Sequence, residues 1–174
     1  MTLRNYKDHA PCLGKDVYVD AHALVIGDVE IGDDSSVWPM SVVRGDVNSV
    51  RIGRRVNIQD GSILHVTHRR PQLPDGFRLV IGDEVTIGHH VILHGCHIHS
   101  KVLVGMGSII MDGAEVGSGT LIGAGSLVTE HSRLEGGYLW LGRPAVKKRR
   151  LTHEEHELLV YAAEHYVKLK NDYL

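Results

Sequence analysis

The sequence predicts an all-β solenoid, a parallel β-helix, followed by a single C-terminal α-helix. Three observations predict this fold class. Aliphatic residues recur at every sixth position, glycine is abundant at 20 residues while Phe occurs once, and a helical pattern starts only after Pro144. Helix interiors disfavour glycine, whereas the tight turns between short strands use it. Strands and turns are therefore expected before Pro144, with one helix after it.

The six-residue period defines the predicted solenoid. It holds at eighteen aliphatic positions: Val19, Val25, Ile31, Val37, Val43, Ile52, Ile58, Leu64, Ile81, Ile87, Leu93, Ile98, Val104, Ile110, Val116, Ile122, Val128 and Leu134. A period of six fits neither a helix nor a simple strand alternation. It fits short strands wound around three faces, with one coil for about 18 residues. The eighteen hexads predict about six coils over residues 15–136, with the aliphatic side chains in the core.

Two insertions interrupt the period and predict loops at the corners of the solenoid. Three extra residues lie between Val43 and Ile52, and eleven lie between Leu64 and Ile81. The longer insertion contains two prolines and an Asp-Gly pair, which favour a loop.

The C-terminal part of the chain predicts a linker and a helix within the same single domain, 1–174. Residues 137–151 are expected to be a linker, and the Lys147–Arg150 run in it is interpreted as a solvated segment. Thr152 followed by Glu155 is a capping box. Leu158, Ala162, Tyr166 and Leu169 then follow at helical spacing, which predicts a helix over 152–173.

Composition excludes several classes of protein. The formal net charge of −2 gives no electrostatic case for nucleic-acid binding. No apolar run approaches the ~20 residues that span a bilayer, which predicts no membrane insertion. The first twelve residues contain no apolar signal core, and two cysteines form no disulfide framework, so we expect a cytoplasmic protein.

Register arithmetic brings three widely spaced residues into one column. Leu64 and Leu93 are one 18-residue coil plus the eleven-residue insertion apart, so His65 and His94 are expected to stack. Val43 and Leu64 are one coil plus the three-residue insertion apart, which adds Arg44 to the column. Neutral imidazoles are favoured zinc ligands, so the column indicates either a metal site or a surface ladder.

A second column lies on a neighbouring face. The same arithmetic places Asp60 beneath His89. Outward side chains on two faces of a prism diverge, so His89 and His94 are expected to meet either near a corner or between chains packed about a three-fold axis.

The motifs around these residues resemble one family. The sequence contains Arg44-Gly45-Asp46, Asn57-Ile58-Gln59-Asp60-Gly61-Ser62, Leu64-His65, Ile87-Gly88-His89 and Leu93-His94-Gly95-Cys96. This set resembles the γ-class carbonic anhydrases, in particular their bacterial members, over nearly the whole chain. These proteins belong to the hexapeptide-repeat superfamily, whose fold is a left-handed parallel β-helix.

The resemblance implies a homotrimer with a metal site at each subunit interface. His65 and His94 of one chain and His89 of its neighbour would bind zinc, with iron or cobalt also accepted. The implied activity is the reversible hydration of CO2 to bicarbonate by a hydroxide on the metal.

The resemblance also implies roles for residues beside the metal. Gln59 would hold the bound water with Asp60 beside it, and Arg44 and Asp46 would form an ion pair between subunits. A tyrosine of the C-terminal helix would reach the site, for which Tyr161 is the first candidate and Tyr166 the second.

The sequence departs from the most active family members at two positions. Val47 and His68 stand where those members have acidic residues that carry protons. His68 is either a proton carrier in its own right, because an imidazole titrates near neutrality, or a plain loop residue. Three functions are therefore considered: a carbonic anhydrase, a metal-binding trimer with little hydration activity or another small substrate, and, as the weakest, a coenzyme A-dependent acyltransferase.

Overall fold

The computed structural model describes residues 2–174, which form twenty strands and one helix. The strands are β1 (Leu3–Arg4), β2 (Cys12–Leu13), β3 (Tyr18–Val19), β4 (Leu24–Ile31), β5 (Ser36–Val37), β6 (Val42–Ile52), β7 (Asn57–Ile58), β8 (Ile63–His65), β9 (Leu79–Ile81), β10 (Thr86–Ile87), β11 (Ile92–His94), β12 (His97–Ile98), β13 (Leu103–Val104), β14 (Ile109–Ile110), β15 (Glu115–Val116), β16 (Leu121–Ile122), β17 (Leu127–Val128), β18 (Arg133–Leu134), β19 (Tyr138–Gly142) and β20 (Ala145–Arg150). The helix α1 spans His153–Asn171.

These elements confirm the predicted parallel β-solenoid of hexapeptide repeats with a C-terminal helix. One sheet contains β3, β5, β7, β10, β13, β16, β19 and β20, all parallel except β20. The other sheet has twelve strands and covers two faces, because the long strands β4 and β6 cross from one face to the next. Seven parallel strands stack in the first sheet, one level more than the six coils predicted. The added length arises because Leu139 and Trp140 continue the stack in register with Leu121 and Ile122.

The repeated aliphatic residues form the core. Val25, Val43, Leu64, Leu93 and Ile110 occupy one inward column and are each fully buried. Burying such side chains contributes roughly 1.5–3 kcal/mol each relative to leaving them exposed. The column also aligns successive coils, so a residue next to one aliphatic position lies beside its counterpart in the next coil.

The three faces of the solenoid present different surfaces to their surroundings. We name the first sheet the helix-covered face, because α1 packs on β5, β7 and β10. The apolar face carries the outward row Leu24, Val42, Ile63, Ile92, Ile109 and Leu127. The polar face carries the outward row Glu30, Arg51, Val80, His97, Glu115 and Arg133.

The segment 137–151 differs from the expected linker. It forms β19 and β20, an antiparallel pair that extends the helix-covered face. Two of its basic residues are paired at the surface, since Lys147 Nζ lies 2.7 Å from Glu135 Oε2 and Arg149 donates to both carboxylate oxygens of Glu155.

The capping box of α1 is confirmed, but the helix buries a different row of residues from the one predicted. The Thr152 hydroxyl accepts from the Glu155 amide, and the Glu155 carboxylate accepts from the Thr152 amide. Leu159 and Ala163 are buried against the solenoid, whereas Leu158 is 44% exposed. Both rows have helical spacing, and the docking angle of the helix selects between them. In residues 2–174 no helix has the length and apolar character that crossing a membrane requires.

Candidate metal centre

His65 and His94 lie side by side at the edge of the apolar face. They occupy the same position in β8 and β11, which are paired in register, so the predicted column is observed. His65 Nδ1 lies 3.1 Å from His94 Nε2. Both side chains follow an outward isoleucine by two residues and therefore point out of the solenoid on the apolar face.

A carboxylate holds the far nitrogen of each ring. His65 Nε2 lies 3.0 Å from Asp46 Oδ1, and His94 Nδ1 lies 2.6 Å from Asp112 Oδ1. Because an ionised carboxylate can only accept, these contacts place the imidazole protons on the far nitrogens. The lone pairs of His65 Nδ1 and His94 Nε2 then face each other. A metal ion shared by the two lone pairs, or a proton on one ring that makes an N–H···N hydrogen bond, satisfies both nitrogens at this distance.

Arg44 completes this group through Asp46. Its guanidinium donates to Asp46 Oδ2 within the same chain. Burial would raise the pKa of Asp46, but the hydrogen bonds from Arg44 and His65 outweigh burial and hold that pKa below its ordinary value. Burial lowers the pKa of His65 against the opposing hydrogen bond from Asp46, and the charge of Arg44 lowers it further. The group therefore keeps Asp46 ionised and His65 neutral near pH 7.

Sequence reasoning missed Asp112. This residue lies one coil beyond His94 at a corner, and its second oxygen accepts from the Thr67 hydroxyl at 2.6 Å. A Cβ at Gly95, which has a φ of +52°, would collide with the Asp112 carboxylate. Gly95, directly after His94, is the sequence feature that could have indicated Asp112, because a glycine there leaves room for a side chain from the next coil.

The remaining sequence-predicted residues lie at the opposite edge of the apolar face. His89 Nδ1 lies 3.1 Å from Asp60 Oδ2, as the second column predicted. Gln59 is buried, and its amide nitrogen donates to Asn57 Oδ1, which is itself tied through its amide to Thr86. This chain of hydrogen bonds fixes the orientation of the Gln59 amide.

One chain therefore carries two half-sites that it does not join. We name Arg44, Asp46, His65, His94 and Asp112 the His65–His94 half-site, and Gln59, Asp60 and His89 the His89 half-site. Across residues 2–174 the one group of three potential ligands with mutually close donor atoms consists of His97, His99 and Glu115. His89 is thus not brought to the His65–His94 pair within a chain.

The two candidate tyrosines of α1 occupy different environments. Tyr161 is 61% exposed and stacks on His165 with 5.7 Å between ring centroids. Tyr166 is half-buried and meets Trp38 edge to face. Burial raises the pKa of Tyr166 and the charge of Asp60 raises it further. Within one chain Tyr166, rather than Tyr161, lies close to the His89 half-site.

Val47 and His68 each follow directly a residue that belongs to the His65–His94 half-site or is hydrogen-bonded to it. Val47 is 41% exposed and follows Asp46 directly. His68 is exposed in the loop between β8 and β9, next to Thr67. Cys96 is buried, and burial raises the pKa of its thiol, so it remains protonated and suits neither metal binding nor redox sensing.

Comparisons with known proteins agree with the repeat and the motifs. The family described as Bacterial transferase hexapeptide (six repeats) matches residues 13–45 and 95–130. A solved structure of a putative acetyltransferase from Bacillus cereus is 42% identical, with a TM-score of 0.91, 98% of this chain and 95% of that chain covered.

Two curated relatives match almost the whole chain. Protein YrdA of Escherichia coli is 56% identical over 99% of this chain and 94% of its own length. Gamma carbonic anhydrase 2, mitochondrial, of Arabidopsis thaliana is 42% identical over 97% of this chain and 60% of its own length. Carbonic anhydrase of Geobacillus kaustophilus is 43% identical over 86% of this chain and 79% of its own length. With these identities and the repeat, the chain belongs to the γ-carbonic anhydrase family of hexapeptide-repeat proteins.

Proposed function

We propose that this protein is a metal-dependent carbonic anhydrase that hydrates CO2 reversibly to bicarbonate, as a homotrimer with its sites between subunits. One observation carries the proposal. In a chain of this family, the lone pairs of His65 Nδ1 and His94 Nε2 face each other at 3.1 Å while Asp46 and Asp112 hold the opposite nitrogens.

The His65–His94 pair fits zinc. Zinc–nitrogen bonds of about 2.0–2.1 Å at a tetrahedral angle place two ligand nitrogens about 3.3 Å apart. The two nitrogens are observed 3.1 Å apart, so a small rotation of either ring would bring them to this separation. A carboxylate on the far nitrogen of each ring is also the usual support for a metal-bound histidine. Iron and cobalt accept the same imidazole ligands.

The apolar face supports the trimer. Ile63 and Ile92 keep 45% and 38% of their surface exposed there, while α1 packs on another face and the polar face suits water. A continuous apolar row of this kind is typical of a surface that another protein covers. The two half-sites lie at its two edges, so a three-fold packing of this face would set His89 of one chain beside His65 and His94 of the next.

The metal would lower the pKa of a coordinated water towards ~7 and so make a nucleophile available for CO2. The chain's own residues supply positioning. Asp46 and Asp112 hold the tautomers of His65 and His94, and the fixed amide of Gln59 would orient the water together with Asp60. The Arg44 guanidinium offers a cation for bicarbonate at the rim of the site. Tyr166 would approach the site on the chain that contributes His89, and Tyr161, which is exposed on α1, is the other candidate.

A specific observation also favours a metal-binding trimer with little hydration activity. Val47 cannot carry a proton, and His68 is an exposed imidazole in the loop between β8 and β9, next to Thr67. Proton removal would then depend on His68 or on buffer. An acyltransferase is the weakest candidate, and a coenzyme A binding assay distinguishes it from the other two because it alone needs that ligand.

The decisive experiment is stopped-flow CO2 hydration on protein loaded with zinc or, anaerobically, with iron. His94→Ala is the matched control, and metal content and molecular mass are measured on the same samples. We expect hydration that disappears in the control. A metal-loaded trimer that hydrates no CO2 would overturn the enzymatic proposal and support the low-activity alternative.

A further inference from the structure

A second histidine cluster lies on the polar face, around the corner from His94. His97 and His99 flank Ile98, which is buried in the core, so both imidazoles point outward. Glu115 is the direct register partner of His97 in the neighbouring strand β15. Strand alternation and coil register thus bring two imidazoles and one carboxylate together on a rigid surface.

The donor atoms of this cluster are already close. His99 Nε2 lies 2.9 Å from Glu115 Oε1, and the His97 and His99 rings stack with 4.1 Å between centroids. One ligand atom from each of the three residues lies within 4.8 Å of the other two. All three side chains are partly exposed, and a cleft of about 520 Å³ beside His97 and Glu115 opens to solvent. An ion can therefore reach the cluster without opening the fold.

We propose that His97, His99 and Glu115 form a second metal site, distinct from the His65–His94 half-site, that binds a divalent transition ion such as Zn²⁺ or Ni²⁺. Two imidazoles and a carboxylate suit these ions better than Mg²⁺ or Ca²⁺, which prefer oxygen ligands. Three protein ligands would leave a coordination position open for water. A small rotation of each ring replaces the His99–Glu115 hydrogen bond with bonds to the ion.

The surroundings are compatible with a bound cation. Burial lowers the pKa of His97, and the charges of His99 and Arg78 lower it further against the opposing charge of Glu115, so the His97 ring offers a lone pair at pH 7. Arg133 Nη1 binds Glu115 Oε2 at 3.2 Å, which leaves Oε1 for the ion and holds the carboxylate in place. The cluster lies on the polar face, so it is complete within one chain and needs no subunit contact.

The test counts ions per chain. Metal-free full-length protein is titrated with Zn²⁺ or Ni²⁺ by calorimetry, and the wild type is compared with the double variant H97Q/H99Q and with E115Q. H22Q/H153Q, which removes two exposed histidines from other elements, is the matched control. Circular dichroism and molecular mass establish that each variant keeps its fold and assembly.

We expect H97Q/H99Q to bind one ion per chain fewer than the wild type and the control. E115Q should lower the affinity for that ion by at least about tenfold, because loss of even a residue that only supports a ligand lowers metal affinity by that factor. In H65A/H94A the cluster should still bind one Cu²⁺ per chain, with two-nitrogen hyperfine structure in its electron paramagnetic resonance spectrum. Equal stoichiometry and affinity in H97Q/H99Q and wild type, or a Cu²⁺ spectrum without nitrogen coupling, would overturn the proposal.

Discussion

His65 Nδ1 lies 3.1 Å from His94 Nε2, although 29 residues separate the two histidines along the chain. Adjacent coils in register bring them together, because Leu64 pairs with Leu93 one residue earlier. The eleven inserted residues between the coils leave this register unchanged, since they project at a corner. His65 and His94 are therefore held together by paired strands of the solenoid.

Removing the carboxylate behind His94 should weaken metal binding without disturbing the fold. In Asp112→Asn a neutral amide replaces the carboxylate that accepts the proton of His94 Nδ1. Without that negative charge, His94 Nε2 is less basic and a poorer metal ligand. We expect zinc affinity to fall by about 10–100-fold, measured by competition with a chromophoric chelator.

Asp75→Asn is the control, because Asp75 is an exposed acidic residue of the loop between β8 and β9 whose backbone oxygen, not its carboxylate, binds Asn48. Equal zinc affinity in D112N and D75N would contradict the assigned role of Asp112.

A charge on the apolar face should separate the subunits. Ile92 lies in the middle of the outward apolar row, so Ile92→Asp would bury an unpaired carboxylate in the interface. We expect light scattering after size-exclusion chromatography to show three chains in the wild type and one in I92D. The control is Val80→Asp, which places the same charge in the polar row. A trimeric I92D would show that the interface lies elsewhere.

Replacing Gly95 should lower the stability of the fold more than replacing a glycine at another corner with left-handed backbone. Gly125 has a φ of +68° with open space around its Cα. Gly125→Ala should therefore lower the free energy of unfolding only by the cost of a left-handed backbone for alanine, about 1–2 kcal/mol. Gly95→Ala adds the collision with the Asp112 carboxylate. We expect it to lower the free energy of unfolding by at least about 1 kcal/mol more, as measured by urea denaturation, and also to weaken zinc binding. A smaller loss in G95A than in G125A would be inconsistent with this packing.

The start of α1 should contribute a pH-dependent stability. Hydrogen bonds from Arg149 and from the Thr152 amide lower the pKa of Glu155 to about 2. Because the folded pKa lies below the unfolded value of about 4.3, the contribution is present above that value and is lost as the pH falls towards 2. In Glu155→Gln the amide still accepts from Thr152 but loses the charge. The wild type should therefore be more stable at pH 7 by up to about 1 kcal/mol.

Urea denaturation of both proteins between pH 7 and pH 3 measures this difference. It should shrink steadily below pH 5, with Glu130→Gln as an exposed control that shows no such trend. A difference between wild type and E155Q that is independent of pH would contradict the role of the ionised carboxylate.

An acid at position 47 should accelerate proton removal. Val47 is exposed beside Asp46, so Val47→Glu provides a proton carrier next to the His65–His94 half-site. In weakly buffered solution we expect its CO2 hydration rate to exceed that of the wild type at least severalfold, since a positioned acid or base typically contributes about 10²–10⁴-fold. In concentrated buffer the two rates should converge. Val47→Gln controls for polarity, and a gain in V47Q equal to that in V47E would exclude proton transfer as the cause.

Patterns of fixed spacing could be interpreted from the sequence alone. The six-residue period determined the solenoid, its inward aliphatic columns and the positions of both insertions. It also determined that His65 lies beside His94 and Asp60 beside His89. Each coil adds a fixed number of residues and each corner insertion a known number, so the residues that stack can be counted along the sequence. The capping box at Thr152 and Glu155 was equally local, since it depends on one turn of helix.

Contacts that depend on side-chain direction or on docking were decided only by the tertiary structure. Asp112 reaches His94 from a corner of the next coil, where backbone conformation and the space above Gly95 direct its carboxylate. Leu159 is buried instead of Leu158, and residues 138–150 form strands, because α1 and β20 dock on surfaces built by distant segments. That docking covers one face and leaves the row through Ile63 and Ile92 exposed. Local spacing determines which residues share a face, whereas long-range packing determines which face remains open to a partner.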